Sequence, residues 1–295
     1  GEFNRRAMQL YYVDSYGCIF ADGIFVGIMV YLLGSISNWR NFVRNYYNHY
    51  QCGKNVVKMK NCWMDGKTFV ITGATSGLGR ALAVMLAQRN DCKIIGIGRN
   101  EPRLCAVKEE LGERFRYYVF DVTQHSAWAA FAHTCATDGF ELDGLIQCAG
   151  ILPRFGKATS CTNDEVEKVM QTNFFSAVYA VNALLPLMKK LNLIHICSSA
   201  ALGTIVGTAG YTASKSALKS YTEALIYENK KKAYIALVMP GFAKTDIFRY
   251  QCTCIEQSRL VQRVCMPCEK MAEKIYRGIA RRKTRMVIGA DAHAM

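Results

Sequence analysis

Acidic residues are scarce. The chain has 23 Asp and Glu against 37 Lys and Arg, a formal net charge of +14. That balance favours anionic partners: phosphates, an anionic membrane face or nucleic acid. The nucleic-acid option lacks its other marks. No zinc finger, basic zipper or RNA-binding signature accompanies runs such as Lys230-Lys231-Lys232 and Arg281-Arg282-Lys283. These runs read as solvated faces, and nucleic acid is not an expected partner. A paired cysteine framework is missing too. The 13 cysteines are odd in number and scattered, some within apparent strands (Cys197) or helices (Cys135). Disulfide scaffolds belong to short secreted domains, so these read as reduced, mostly buried thiols in a reducing compartment. Two closer pairs, Cys252 with Cys254 and Cys265 with Cys268, could bring four thiolates to zinc. No chelating fold surrounds them, and the second pair straddles Met266 and Pro267 at a helix start. No metal is expected.

The apolar content is ample. At 295 residues, 51% hydrophobic and 20% charged, the chain can form one large domain plus an appendage. Residues 1–62 read as the appendage and 63–295 as the domain. Within the first, "GCIFADGIFVGIMVYLLGSI" (17–36) is twenty residues long with a single charge, Asp22. That length suits a membrane-spanning helix. The flank 37–63 has no acidic residue and carries Arg40, Arg44, Lys54, Lys58 and Lys60 among aromatics. Such a flank suits a membrane interface and places the large domain in the cytoplasm. No convincing cleavage site supports a secretory signal instead. The expectation is a membrane-associated protein with its domain facing the cytoplasm, the alternative being a soluble cytoplasmic one.

From Asp65 the texture changes. "TFVI" (68–71) reads as a strand, followed by a glycine turn and an amphipathic helix. Glycines at 73, 77 and 79 allow a tight turn and close approach of a phosphate. The helix start offers that phosphate free N–H groups. Further strands occur in "KIIGIG" (93–98), "RYYVFDV" (116–122), "LDGLIQCAG" (142–150), "LNLIHICSS" (191–199), "AYIALVMPG" (233–241) and "RMVIGA" (285–290). Helical segments separate most of them. The alternation predicts an α/β fold, a doubly wound parallel sheet of about seven strands with helices on both faces. The 17–36 segment would precede it as a hydrophobic helix.

Several motifs then occur in order: Thr72-Gly73-x-x-x-Gly77-x-Gly79, Cys148-Ala149-Gly150, Asn173, Ser198-Ser199, Tyr211-x-x-x-Lys215 and Pro240-Gly241. This set resembles the short-chain dehydrogenase/reductase family in its single-domain, Rossmann-fold form, over roughly residues 65–292. The resemblance implies that Gly73, Thr75, Ser76, Gly77, Leu78 and Gly79 line the cofactor pyrophosphate and ribose. It implies adenine contacts from Asp121 and Val122, a cofactor-facing turn at Cys148, Ala149 and Gly150, and further contacts from Pro240, Gly241 and Thr245. Gln147-Cys148 stands where relatives often have two asparagines, which puts in doubt the hydrogen bonds that steady the sheet there.

The resemblance further implies catalysis by Asn173, a serine, Tyr211 and Lys215. Tyr211 would exchange the proton, and both Tyr211 and Lys215 would also bind the cofactor, Lys215 through the nicotinamide ribose. A cation one helical turn from a phenol should lower its pKa, towards the range where a general acid–base works best. The thirteen-residue spacing to Tyr211 selects Ser198, whereas the local pattern "SSAALG" points to Ser199, which is preferred. Gly98 occupies the position where NAD-using relatives carry a ribose-binding acid, and Arg99 follows, with Arg80 nearby. An arginine fork suits a phosphate, so NADP(H) is expected over NAD(H). The reaction would be hydride transfer between nicotinamide and a carbonyl or secondary alcohol. A lid over 242–268 is rich in apolar residues, and a lipophilic ketone or aldehyde is the expected substrate. Homodimers or homotetramers are implied by the family. The alternative is a non-enzymatic dinucleotide sensor or scaffold that keeps the fold.

Overall fold

The computed structural model describes residues 62–230, 232–245, 247, 265–289 and 292, and in the N-terminal part only two short strands. Those strands, Tyr12–Val13 and Ile19–Phe20, pair antiparallel. Ile19–Phe20 is thus extended where a helix over 17–36 was expected. The rest of that segment lies outside the described residues. Among the described residues no helix is long and apolar enough to cross a membrane.

Seven strands form one parallel sheet. In chain order they are β1 (Thr68–Thr72), β2 (Lys93–Gly98), β3 (Phe115–Val119), β4 (Gly144–Gln147), β5 (Asn192–Ile196), β6 (Tyr234–Pro240) and β7 (Arg285–Ile288). All seven coincide with the runs read from the sequence. Their spatial order is β7-β6-β5-β4-β1-β2-β3. The order reverses direction between β1 and β4, and a crevice opens there at the carboxyl ends of the strands.

The inner strands are rich in apolar residues because both faces are covered. Every residue of β4, β5 and β6 is buried. In β1 the side chains alternate: Phe69 and Ile71 join one core, Val70 the other. The first core holds Leu82 and Leu86 of α1 (Gly77–Asn90), Leu104 of α2 (Glu101–Leu111) and Ile275 of α7 (Cys268–Ala280). The second holds Trp128 of α3 (His125–Thr137), Leu184 of α5 (Ser176–Leu184) and Leu218 of α6 (Ala209–Glu228). Helix α4 (Asn163–Met170) starts on a reciprocal Thr162–Glu165 capping box, which satisfies two otherwise free amides. It runs into a single π turn, Gln171–Phe175, before α5.

The expected lid, 242–268, is described only at 242–245, 247 and 265–268. A short parallel ladder pairs Ala243–Lys244 with Met266–Pro267 and so ties its two ends together. Cys252 and Cys254 lie outside the described residues. Among the described residues no group of three His, Cys, Asp or Glu side chains could hold a metal ion.

Candidate active site

The carboxyl ends of β1, β2, β4, β5 and β6 surround a cavity of about 510 Å³. Its floor at one end is the turn between β1 and α1. Gly73 and Gly77 have φ of +68° and +53° there, a region that side chains disfavour. A Cβ on Gly79 would stand 2.3 Å from the Gly73 carbonyl oxygen, and one on Gly73 would stand 3.1 Å from Ala149 N. Only glycine permits this packing of turn, helix start and neighbouring strand end. The first turn of α1 contains no acidic residue, which leaves its N–H groups suited to an anion.

Thr72, the last residue of β1, organises the next wall. Its Oγ1 accepts the N–H groups of Cys148 and Ala149, both at 3.1 Å, and donates to Gln147 Oε1 at 2.8 Å. Asp121 faces the end of β2. Its Oδ1 accepts from Thr123 N and Oγ1, and its Oδ2 accepts from Arg99 Nη1 at 3.3 Å. Partial burial opposes the Asp121 charge, but the Thr123 and Arg99 bonds outweigh it and hold its pKa below the usual value. Val122 is buried, and Trp128 Nε1 donates to its carbonyl at 2.9 Å.

The catalytic candidates converge from three elements. Tyr211 and Lys215 lie one turn apart in α6, and both are buried. Lys215 Nζ donates to Ile196 O at 3.2 Å, and its charge sits 5.9 Å from the Tyr211 ring centre. Asn173 stands in the π turn, 2% exposed. Its Oδ1 accepts from Ile151 N at 2.8 Å, while Nδ2 donates to Ile151 O and Ser214 Oγ, both at 3.0 Å. Ser214 donates in turn to Tyr211 O at 2.7 Å. The π turn therefore fixes the loop after Gly150 to the helix that carries Tyr211.

Two expectations about the chemistry change here. The Tyr211 phenol was expected to fall in pKa. Burial instead pushes it up to about 12, opposed by a hydrogen bond with Ser198. Lys215 does not reverse this, because its ammonium is itself buried, is held below its ordinary pKa by that burial, and is bonded to a backbone carbonyl. The serine preference also changes. Ser198, not Ser199, is the serine whose side chain opposes the rise of the Tyr211 phenol. Its Oγ accepts Ala200 N at 3.1 Å, which leaves its proton to donate. Ser199 begins the next turn and is 3% exposed.

The other residues singled out from the sequence line the cavity as a group, from Gly73, Thr75, Ser76, Gly77, Leu78 and Gly79 through Cys148, Ala149 and Gly150 to Pro240, Gly241 and Thr245. Asn173 stands behind the wall, with its neighbour Thr172 at the surface. Arg80 is the correction: it pairs with Glu110 on α2 and is not part of the cavity lining. Arg103, missed from the sequence, lines the cavity beside Arg99. The signal was present in Asn100, whose side chain caps Arg103 N at 2.9 Å and so places that arginine in the first turn of α2. At the opposite end Ile151, Leu152, Phe155, Ile205, Phe242 and Ile247 form an apolar lining.

A glycine cradle at a helix start, sharing one cavity with a buried acid–cation pair, defines a dinucleotide-dependent oxidoreductase of CH–OH and carbonyl groups. Known proteins point the same way. The short chain dehydrogenase family profile matches residues 67–253, and the chain belongs to that family. Two yeast proteins from Saccharomyces cerevisiae are similar at 30% identity. An uncharacterized oxidoreductase aligns over 185 residues, 62% of this chain and 72% of its own. A benzil reductase forming (S)-benzoin aligns over 194 residues, 62% and 73%. The crystal structure of a short chain dehydrogenase/reductase from Burkholderia phymatum in complex with NAD matches with a TM-score of 0.67 at 23% identity. It covers 76% of this chain and 89% of that one, a likeness of fold.

Proposed function

We propose that the protein is an NADP(H)-dependent reductase of apolar ketones or aldehydes. The observation that carries this reading is the shared cavity. One end has Arg99 and Arg103, with glycine at position 98 and the Asp121 carboxylate paired to Arg99, and the other has a protonated tyrosine beside apolar walls. A Cβ on Gly98 would meet Thr75 Cγ2 at 3.0 Å, so the position has little room for the acid that grips a ribose in NAD-using enzymes. Arg99, with its side chain 61% exposed, and Arg103 would take a 2′-phosphate. The Gly73–Gly79 cradle and the α1 amides fit the pyrophosphate. When bound, the nicotinamide supplies the hydride.

The chain's own residues manage the proton. Tyr211 keeps its proton well above neutral pH, so it serves as a general acid towards a carbonyl oxygen that gains negative charge. Ser198 Oγ–H donates to the same oxygen and orients it. Lys215, fixed by Ile196 O, supplies positive charge as the phenol gives up its proton. Asn173 holds the loop that closes this end. A protonated phenol suits reduction and must first be deprotonated for alcohol oxidation. The apolar run 17–36 and its basic flank further support a form held at a membrane through the N-terminus.

The test is cofactor consumption by the full chain over a panel of carbonyl compounds, including benzil, long-chain aldehydes and short polar ketones. NADPH should be oxidised with the apolar members in preference. Arg99→Asp should weaken NADPH by at least about tenfold, one lost charge-assisted contact, and NADH much less. Equal use of both cofactors by the unaltered protein, or a preference for short polar carbonyls, overturns the corresponding half of the reading.

A further inference from the structure

Two buried side-chain nitrogens have no hydrogen-bond partner among the described residues: Gln147 Nε2 and His195 Nε2. They belong to register-paired positions of β4 and β5. Paired residues of neighbouring parallel strands share one face of the sheet. Gln147 is 3% exposed and His195 0%. Unpaired polar atoms at such depth are rare and call for an explanation.

The other end of each side chain fixes what its free nitrogen can do. Thr72 Oγ1 accepts two N–H groups, from Cys148 and Ala149, so its single proton goes to Gln147 Oε1. The Gln147 oxygen therefore faces Thr72, and Nε2 is a donor. Thr222 Oγ1 donates to Leu218 O at 2.6 Å, so its 2.6 Å contact with His195 Nδ1 requires the ring to donate. Burial, aided by the Lys215 charge, holds the imidazole near a pKa of about 3, so the ring is neutral. Its Nε2 then carries a bare lone pair. A donor and an acceptor thus stand on adjacent strands, each lacking the other.

We propose that Gln147 Nε2 donates to His195 Nε2, directly or across one water, and that the resulting chain of hydrogen bonds positions the cofactor turn against the catalytic helix. The chain runs one way: from the Cys148 and Ala149 N–H groups through Thr72, Gln147, His195 and Thr222 to Leu218 O. Each bond polarises the next in the same sense. One end holds the turn that lines the cavity, and the other lies in α6, three residues past Lys215. Gln147 and His195 are positioning residues that touch neither substrate nor cofactor.

The test has a spectroscopic and a kinetic arm. In full-length protein with 15N-labelled histidine, the His195 ring should be the neutral Nδ1–H tautomer from pH 6 to 9, with a hydrogen-bonded Nε2. Gln147→Leu should move the Nε2 resonance towards that of a free lone pair. An Nε2–H tautomer, or no response to Gln147→Leu, overturns the proposal. The kinetic arm rests on the reductase reading above. Gln147→Leu and His195→Phe should each raise the cofactor KM about 5- to 10-fold, with kcat altered much less, as loss of a buried bond that shapes the cofactor turn implies. The double variant should be no worse than the poorer single, the non-additivity of coupled neighbours. Additive losses overturn the coupling. If His195→Phe does not accumulate, the resonances of the unaltered protein and of Gln147→Leu decide the matter. A failed reductase assay with the expected resonances overturns only the functional reading.

Discussion

The two ends of the sheet are built in opposite ways. At the amino ends of the strands, side chains close the fold. Asp143 accepts Lys67 Nζ and Thr68 N, Asn192 Nδ2 donates to the Asp143 carbonyl, and Arg282 Nη2 donates to Asn192 Oδ1. The Arg282 guanidinium lies 4.6 Å from the Trp63 ring centre and 5.2 Å from that of Tyr234. Trp63 Nε1 donates to Ile279 O, the last turn of α7. At the carboxyl ends, side chains are withheld. Glycines 73, 77, 79, 98, 150 and 241 line the opening, and much of its hydrogen bonding runs through backbone. One end gains rigidity from interlocked side chains. The other leaves room for a ligand and relies on Thr72 and Asn173 to hold the bare backbone in place.

Arg282 shows how firmly the closed end is held. Its φ is +53°, a left-handed conformation that costs a side-chain-bearing residue roughly 1–2 kcal/mol. Two aromatic rings and Asn192 fasten the guanidinium and offset that strain. At the open end the same region of φ is given to Gly73 and Gly77, which have no side chain to strain, and a Cβ on Gly73 would also crowd the Cys148–Ala149 backbone. Both ends need unusual backbone, and they obtain it by different means.

Removing the acid from the open end should have the largest effect. Tyr211→Phe should lower kcat for carbonyl reduction by about 10²–10⁴-fold, the range for a lost general acid, with NADPH affinity nearly unchanged in a fluorescence titration. A loss under about tenfold means that another group supplies the proton. Next is Gly79→Ala, which drives a methyl group into the Gly73 carbonyl. It should weaken cofactor binding by about 100-fold or more, as the turn cannot take up overpacking cheaply; an unchanged Kd would show that the cradle does not hold the pyrophosphate. The smallest effect should come from the closed end. Arg282→Ala should lower unfolding free energy by about 1 kcal/mol, the scale of exposed cation–π contacts, and leave kcat and KM as they were. An activity loss without a stability loss would break the division between the two ends.

Much of this molecule is local information. Strand periodicity, the glycine turn, the Tyr211–Lys215 spacing and the order of the motifs are properties of short stretches. They led to a seven-stranded parallel sheet. Where local patterns conflicted, only three-dimensional neighbours could decide. Ser198 and Ser199 both line the cavity, and only the folded bend after β5 decides which of them acts on Tyr211. Arg80 and Arg103 sit in different helices near the same strand end, and Glu110 draws the first aside.

The Tyr211 proton was misjudged for a physical reason. Spacing along a helix reveals a neighbouring charge, but not how deeply the fold buries Tyr211. Desolvation outweighs the opposing effect of Ser198, and that balance exists only once the chain is folded. The same holds for Gln147 and His195, 48 residues apart in sequence. Nothing local links them, and only the parallel pairing of β4 with β5 sets an amide donor beside an imidazole acceptor.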